Sequence, residues 1–354
     1  MNSVFWKNKK ILLTGHTGFK GSWLTLWLNE LGADVIGFSK DIPTEPSLYK
    51  EAKVNDKIIS IMADIQNFDA IKKTIQEHKP EIIIHMAAQS LVRKSYLEPI
   101  ETYSTNVMGT VNLLESVKKS DKTKVVINVT SDKCYENTDS KYNFVEEDPM
   151  GGYDPYSSSK GCSELITSAF RNSFFNVKKF EEHGIALASV RAGNVIGGGD
   201  WSQDRLVPDI MRNINKNIID IRNPNAIRPW QYVLEPLNGY MLLIEKLWTN
   251  GKEYSEAWNF GPNENDSKSV SYVLEKILKF FNKNIDWKKN DLNNLHEASK
   301  LTLNSSKAKN KLKWKPKTNV DQAIQFTVDW YNAHKMGQNM NKFSIQQIKE
   351  FELL

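Results

Sequence analysis

Three features of the sequence predict a doubly wound α/β fold. Short, continuously apolar runs recur along the first half of the chain, amphipathic helical stretches alternate with them, and a glycine-rich turn joins the first run to the first helix. Runs that are apolar at every position suit strands covered on both faces, which is the condition of a parallel sheet flanked by helices.

In chain order, Ile11–Thr14 is the first strand, and Trp23, Leu24, Trp27, Leu28 and Leu31 then recur at helical spacing. Val35–Phe38 predicts a second strand. Ile58–Ile65 predicts a third, followed by a helix over 68–78 that Pro80 stops. Glu81–Ala88 reads as a buried fourth strand. Ile100, Tyr103, Val107, Val111, Leu114 and Val117 stripe a long helix over 99–120. Val125–Val129 is the fifth strand, 156–175 a second long helix, and Ile185–Val190 the sixth strand. Beyond it Gly, Asn and Pro are frequent over 193–229 and 261–268, with helical patterns at 236–248, 270–281 and 321–331. This half is expected to supply a smaller α/β C-terminal lobe. The tail after His334 is polar and is expected to be loosely held.

Composition narrows the possible functions. With 40% hydrophobic and 25% charged residues, the 354-residue chain is neither disordered nor low in complexity. The net charge of +5 is spread out, and the lysine clusters at 7–10, 118–124 and 307–315 are interrupted, so no nucleic-acid-binding stripe is expected. Two cysteines, Cys134 and Cys162, exclude a disulfide framework and read as small fillers. The six histidines have no metal-ligand spacing, and no metal is expected. No basic segment with an apolar signal core opens the chain, and no apolar stretch approaches the ~18 residues of a membrane span, so a cytoplasmic protein is expected.

The glycine turn is Gly15-His16-Thr17-Gly18-Phe19-Lys20-Gly21. Missing side chains at Gly15, Gly18 and Gly21 let backbone and a helix N-terminus approach a pyrophosphate. Between a first strand and a first helix, this predicts a Rossmann-type domain binding NAD or NADP. The division expected is a dinucleotide-binding domain over 1–190 with returning segments near 232–258, and a substrate lobe mainly over 191–231 and 259–354. Asp41 suits a ribose 2′-hydroxyl and Lys40 suits a phosphate; the balance favours NAD. Asp64 and Ile65 end the third strand, where a carboxylate can reach the adenine amino group.

Tyr156 and Lys160 are four apart at the start of a helix and so share a face. An ammonium beside the phenol favours the phenolate, a base able to take a proton from an alcohol as hydride leaves the carbon. Thr130-Ser131-Asp132-Lys133 ends the fifth strand, at the edge where open α/β sheets bind ligands. Ser131 suits the same substrate hydroxyl.

The glycine turn, His85-x-Ala87-Ala88, Asn106, Ser131 and Tyr156-x-x-x-Lys160 together resemble an extended short-chain dehydrogenase/reductase over essentially the whole chain. Longer strings, among them GHTGFKGSWL (15–24), AAQSLVRKSY (87–96), TSDKCYEN (130–137), RAGNVIGGGDW (191–201) and RPWQYVLEPLNGY (228–240), resemble the sugar-nucleotide 4,6-dehydratase branch and its CDP-glucose group in particular. The resemblance implies NAD held by Gly15, Thr17, Gly18, Phe19, Lys20, Gly21, Asp64, Ile65, Ala87, Ala88, Gln89, Asn106 and Thr130, with Tyr156 and Lys160. It implies CDP-glucose as substrate, its nucleotide on Arg191, Asn194, Arg205, Arg228, His296 and Glu297. Oxidation at C4 acidifies C5–H, water leaves across C5 and C6, and hydride returns to C6.

By the same resemblance Tyr156 is the base at the C4 hydroxyl, Ser131 positions that oxygen, and Asp132 protonates the departing C6 hydroxyl. Lys133 stands where the dTDP and GDP types carry Glu, and would act as C5 base. The products of such enzymes supply deoxyhexoses for surface polysaccharides. The two long helices imply a homodimer or homotetramer. A 4-epimerase, or a dehydratase for another nucleotide, shares most of these motifs; an idle NAD-binding sensor or scaffold is disfavoured by Ser131, Tyr156 and Lys160.

Overall fold

The computed structural model describes residues 2–137, 143–289 and 301–354. A seven-stranded parallel sheet is formed by β1 (Lys10–Thr14), β2 (Asp34–Ser39), β3 (Ile59–Met62), β4 (Ile82–His85), β5 (Val125–Val129), β6 (Ala186–Ala192) and β7 (Ala257–Phe260). Their spatial order is β7-β6-β5-β4-β1-β2-β3. This is the doubly wound Rossmann-type arrangement expected from the apolar runs, and the order reverses between β4 and β1.

Successive residues of a strand face opposite sides. Ile11, Leu13, Val35, Ile82, Ile84, Val125 and Ile127 therefore enter one core, whereas Leu12, Ile36, Ile83, Val126 and Leu187 enter the other. The first core is roofed by α1 (Phe19–Glu30), with Trp23, Leu24 and Trp27 buried. The second is roofed by α2 (Phe68–His78), through Ile71 and Ile75. Asn67 caps α2, its side chain accepting from the Ala70 amide.

The long helix expected over 99–120 is interrupted. It runs as α3 (Pro99–Tyr103), a π-turn over Ser104–Met108, and α4 (Gly109–Val117). The second long helix is α5 (Pro155–Ser173), with Pro155 in its first turn and Asp154 as its cap. Then come α6 (Leu206–Asn213), α7 (Leu234–Tyr254), α8 (Val270–Phe280), α9 (Val320–Lys335) and α10 (Met340–Leu353). Small ladders pair 195–196 with 231–232, 227–229 with 267–269, and 218–221 with 286–289, and build the C-terminal lobe.

Two expectations need correction. The expected boundary cuts through the sheet: β6 continues to Ala192, and β7 carries Asn259 and Phe260 beside Arg191 and Ala192. The tail after His334 is not loose. α10 buries Met340, Ser344, Gln347, Ile348 and Phe351, and packs on α1 as well as α9. Phe351 meets Trp27 edge-on with ring centres 5.7 Å apart, and the Trp27 indole donates to Glu352 at 2.9 Å. Its buried apolar residues are few, Met340, Ile348 and Phe351, yet they suffice to dock it.

Candidate active site

The carboxyl ends of β1, β4 and β5 meet where the strand order reverses. Thr14 stands beside His85, and His85 beside Asn128. The loops that follow line one cleft of about 1050 Å³ between the sheet and the C-terminal lobe.

On the β1 side, Gly15 adopts φ +77°, and a Cβ there would lie 2.7 Å from the Met86 carbonyl carbon. A Cβ on Gly21 would lie 2.1 Å from the Gly15 oxygen. The turn is thus folded on itself with no space for side chains, and brings the first turn of α1 to the cleft. Gly18 provides that helix with no side-chain cap. Uncapped amides at a helix N-terminus suit a pyrophosphate, so this chain's residues fit a dinucleotide. Thr17 pins the turn to the segment just after β2: its hydroxyl donates to the Asp41 carbonyl at 2.6 Å. His16 is buried against Gly37 and bonded to Ser39; burial pushes it down to about 4, so it packs as a neutral ring.

Asp64, Ile65, Lys40 and Asp41 line the adjoining end of the cleft. The Lys40 ammonium pairs with Asp64 at 3.0 Å and Glu101 at 2.9 Å, and these bonds raise its pKa. Lys40 is therefore already neutralised and is a poor receptor for a 2′-phosphate. Replacing Asp64 and Glu101 by Asn and Gln together is expected to improve binding of NADP relative to NAD several-fold, as measured by calorimetric titration. An unchanged ratio would show that Lys40 does not face the 2′ position.

Across the cleft, Asp154 fixes the start of α5 by accepting from the Ser157 amide at 2.9 Å and the Ser157 hydroxyl at 2.6 Å. The Tyr156 amide donates to the Ser95 hydroxyl at 3.1 Å. Tyr156 and Lys160 are both buried and both line the cleft. Burial pushes the Tyr156 phenol up to about 12; its hydrogen bond with Ser131 and the nearby Arg205 oppose this, while Asp132 and Asp154 add to it. Burial lowers Lys160 to about 8, and its Nζ donates to the Val129 carbonyl at 3.4 Å. The expected acidification of Tyr156 by Lys160 is thus not the dominant influence: burial is, and Ser131 leads the opposition.

After β5, Ser131 caps a single 3₁₀ turn, Asp132–Cys134, that carries Asp132 and Lys133. The Ser131 hydroxyl donates to Asp132 Oδ1 at 2.9 Å and accepts from the Lys133 amide at 3.2 Å. Asp132 is 2% exposed, and its Oδ2 has no hydrogen-bond partner among the described residues. Burial pushes its carboxyl up, against Lys133, Ser131 and Arg228, which is the direction a proton donor needs. Lys133 is half-buried and lines the cleft beside it.

Of the remaining expected residues, Phe19, Lys20, Ala87, Ala88, Gln89, Thr130, Asn194, Arg205 and Arg228 line the cleft. Arg205 pairs with Asp200 at 3.1 Å. Two expected contacts are corrected. Arg191 does not line the cleft: it is 3% exposed, pairs with Glu164 at 2.8 Å, and donates to the Tyr135 hydroxyl and the Glu146 carbonyl. Its strand position turns it towards α5, where a carboxylate is waiting. Asn106 is also enclosed. The π-turn directs its amide to accept from the Gln89 amide at 2.8 Å and to donate to Ser159 at 2.8 Å, so it supports the site from behind. His296 and Glu297 lie outside the described residues.

Cys134 is fully buried, and burial raises its thiol well above the usual range. Among the described residues, no group of three or more His, Cys, Asp or Glu could hold a metal ion, and no helix is long and apolar enough to cross a membrane. The sequence reading missed Tyr240, which holds Lys20, and the Arg93, Asp204, Arg222, Asp209 and Arg212 ion network on the lobe side of the cleft. Asp204, Asp209, Arg212 and Arg222 are near one another in the chain, but Arg93 joins them from more than a hundred residues away, and that contact only the fold supplies.

A glycine turn at the switch point of a doubly wound sheet, facing a buried Ser–Tyr–Lys set, defines an extended short-chain dehydrogenase/reductase. Within that class the chain belongs to the GDP-mannose 4,6 dehydratase family, whose model matches residues 12–327. It is 51% identical over 348 residues to the CDP-glucose 4,6-dehydratase of Salmonella typhimurium, covering 98% of this chain and 97% of that one. A dTDP-glucose 4,6-dehydratase of Haemophilus influenzae is 24% identical, covering 91% of this chain and 97% of that one. Among solved structures, dTDP-glucose 4,6-dehydratase from Bacillus anthracis in complex with NAD superposes with a TM-score of 0.76 at 25% identity, covering 93% of this chain and 98% of that one. UDP-glucose 4-epimerase from Thermotoga maritima shares the fold, with a TM-score of 0.78 at 22% identity, covering 92% of this chain and 99% of that one.

Proposed function

We propose that this chain is an NAD-dependent CDP-glucose 4,6-dehydratase, forming CDP-4-dehydro-6-deoxyglucose and water. The observation that carries the reading is Asp132, buried with one carboxylate oxygen unpartnered, in the same cleft as Ser131, Tyr156 and Lys160. A 4-epimerase needs no such acid. The 51% identity to a CDP-glucose 4,6-dehydratase supports the same substrate.

NAD, when bound, supplies a hydride acceptor and later a hydride donor, and is regenerated in each cycle. The chain's own residues do the proton work. Tyr156 takes the proton of the C4 hydroxyl while Ser131 holds that oxygen. The resulting ketone acidifies C5–H, and Lys133 takes that proton. Asp132 gives its proton to the C6 hydroxyl, which leaves as water, and a proton returns to C5. Arg205 and Arg228 are suited to the diphosphate through forked hydrogen bonds. Leu97, Ile100 and Leu165 are exposed on or next to α3 and α5, which supports a homodimer or homotetramer built on those helices, in the cytoplasm where sugar nucleotides are made.

The test is incubation of the purified protein with CDP-glucose and, separately, with UDP-, dTDP- and GDP-linked sugars, with and without added NAD. Mass spectrometry is expected to show loss of one water from CDP-glucose alone. Inversion at C4 without water loss would overturn the reading in favour of an epimerase.

A further inference from the structure

Gly193 directly follows β6 and lines the cleft. Its backbone lies outside the left-handed region that Gly15 and Gly199 occupy, so conformation alone does not require glycine there. What the position lacks is space. A Cβ on Gly193 would stand 3.0 Å from Asp132 Oδ2 and 3.0 Å from Pro229 Cγ, tighter than ordinary van der Waals contact. Neither neighbour is free to retreat. Asp132 is tied to Ser131 through Oδ1 at 2.9 Å, and Pro229 belongs to the 227–229 ladder, where it pairs with Ser267.

Oδ2 is the Asp132 oxygen that has no hydrogen-bond partner among the described residues. The missing side chain has two effects on it. It lets the carboxyl sit close against the chain after β6, and it puts carbon on that side of Oδ2 and no donor. A buried carboxyl oxygen without a donor favours the protonated acid, the form the dehydration needs. Lys133 on the same turn and Arg228 on the ladder face the carboxyl and act the other way, while Lys20 and Tyr156 line the same cleft.

We propose that Gly193 is a positioning residue for Asp132: having no side chain, it fixes where Oδ2 stands and keeps that oxygen free for the C6 hydroxyl of the substrate. It thereby decides whether the reaction passes beyond the C4 ketone. The inference rests on Asp132 being the acid of the proposed dehydration. Oxidation at C4 sends the hydroxyl proton to Tyr156 and the hydride to NAD, without Asp132. Elimination sends the C5 proton to Lys133 and breaks the C6–O bond with a proton from Asp132. Only then can the hydride return to C6.

Gly193→Ala and Gly193→Ser are compared with the wild type, each loaded with NAD and mixed with CDP-glucose. The alanine crowds Oδ2; the serine also offers it a donor. Water loss, followed by mass spectrometry, is expected to fall about 10²-fold in both. The absorbance of reduced nicotinamide is expected to build up towards one equivalent per site in the variants and not in the wild type, because oxidation proceeds while the return of hydride stalls. Wild-type water loss in both variants would overturn the proposal. So would a fall in water loss with no reduced nicotinamide, since a general disturbance of the cleft slows both steps. A second measurement needs no turnover. The infrared band of protonated Asp132, assigned by its absence in Asp132→Asn, is titrated over roughly pH 5 to 9, where exposed carboxyls are already ionised. The serine is expected to lower the midpoint by about one pH unit and the alanine not to lower it. Equal midpoints in the wild type and Gly193→Ser would overturn the proposal. Should the wild type release no water from CDP-glucose, the dehydratase reading falls, and the infrared titration still decides whether Gly193 governs Asp132.

Discussion

Tyr156→Phe is expected to lower turnover by about 10³-fold, within the range for loss of a positioned general base. The phenylalanine keeps the buried ring and its packing, so thermal stability and bound NAD should change little. What disappears is the hydroxyl that meets Ser131. In the wild type, turnover should rise with pH as the phenol ionises, because the proton acceptor proposed is the phenolate. Burial places that group high, at about 12 in the free protein, so the rise is expected to continue well above neutrality. Asp132, as the acid proposed, should impose the opposite slope, since in that role it must be protonated to act. Single-turnover water loss followed by mass spectrometry over a pH series checks both. A variant that keeps most of its rate would move the base elsewhere in the cleft.

The second large effect concerns stability. Glu164 on α5 and Arg191 on β6 are each 4% exposed in their side chains and pair at 2.8 Å. Burial pushes the Glu164 carboxyl up, but Arg191 and the hydrogen bonds from Thr130 and Ser189 outweigh it, and the net shift is downward. Glu164→Ala leaves a buried guanidinium without its carboxylate and is expected to cost about 3–5 kcal/mol. Replacing both residues by leucine should cost less than Glu164→Ala alone, because no buried charge is left over. The sign with pH follows from the depressed carboxyl. Its contribution is fully present above the unfolded value of about 4.3 and is lost as pH falls through the lower folded value. Urea unfolding at neutral and acid pH measures both effects. A double replacement as costly as Glu164→Ala would show that shape, not charge, fixes this contact.

Much of the sheet could be read from the chain because its strands are apolar on both faces. EIIIHMAA and VVINV have few other uses in a globular protein. The seventh strand escaped notice because Ala257–Phe260 is four residues long and carries a buried Asn259 that hydrogen-bonds Tyr135 and Phe144. The π-turn escaped because side-chain spacing does not distinguish it from α-helix over one turn. The residues proposed to react were legible because Ser131, Tyr156 and Lys160 sit at or near element ends fixed by local sequence. Arg191 was misplaced for the converse reason. A strand residue faces the cleft or the scaffold according to its pleat, and the string around it does not reveal Glu164 on the far side. Lys20 read as one more member of the glycine turn, since its neighbour Tyr240 belongs to a helix far along the chain.

The contact of α10 with α1 has a consequence for synthesis. The helix that follows the glycine turn is covered at Trp27 by Phe351 and Glu352. A growing chain on the ribosome therefore exposes part of that helix until residues 340–353 have emerged. Long-range closure of this kind is slow and leaves apolar surface open to aggregation. Nascent chains arrested before residue 340 should be clients of holding chaperones, and a bulky fusion at Leu354 should lower the yield of folded protein more than one at the other end.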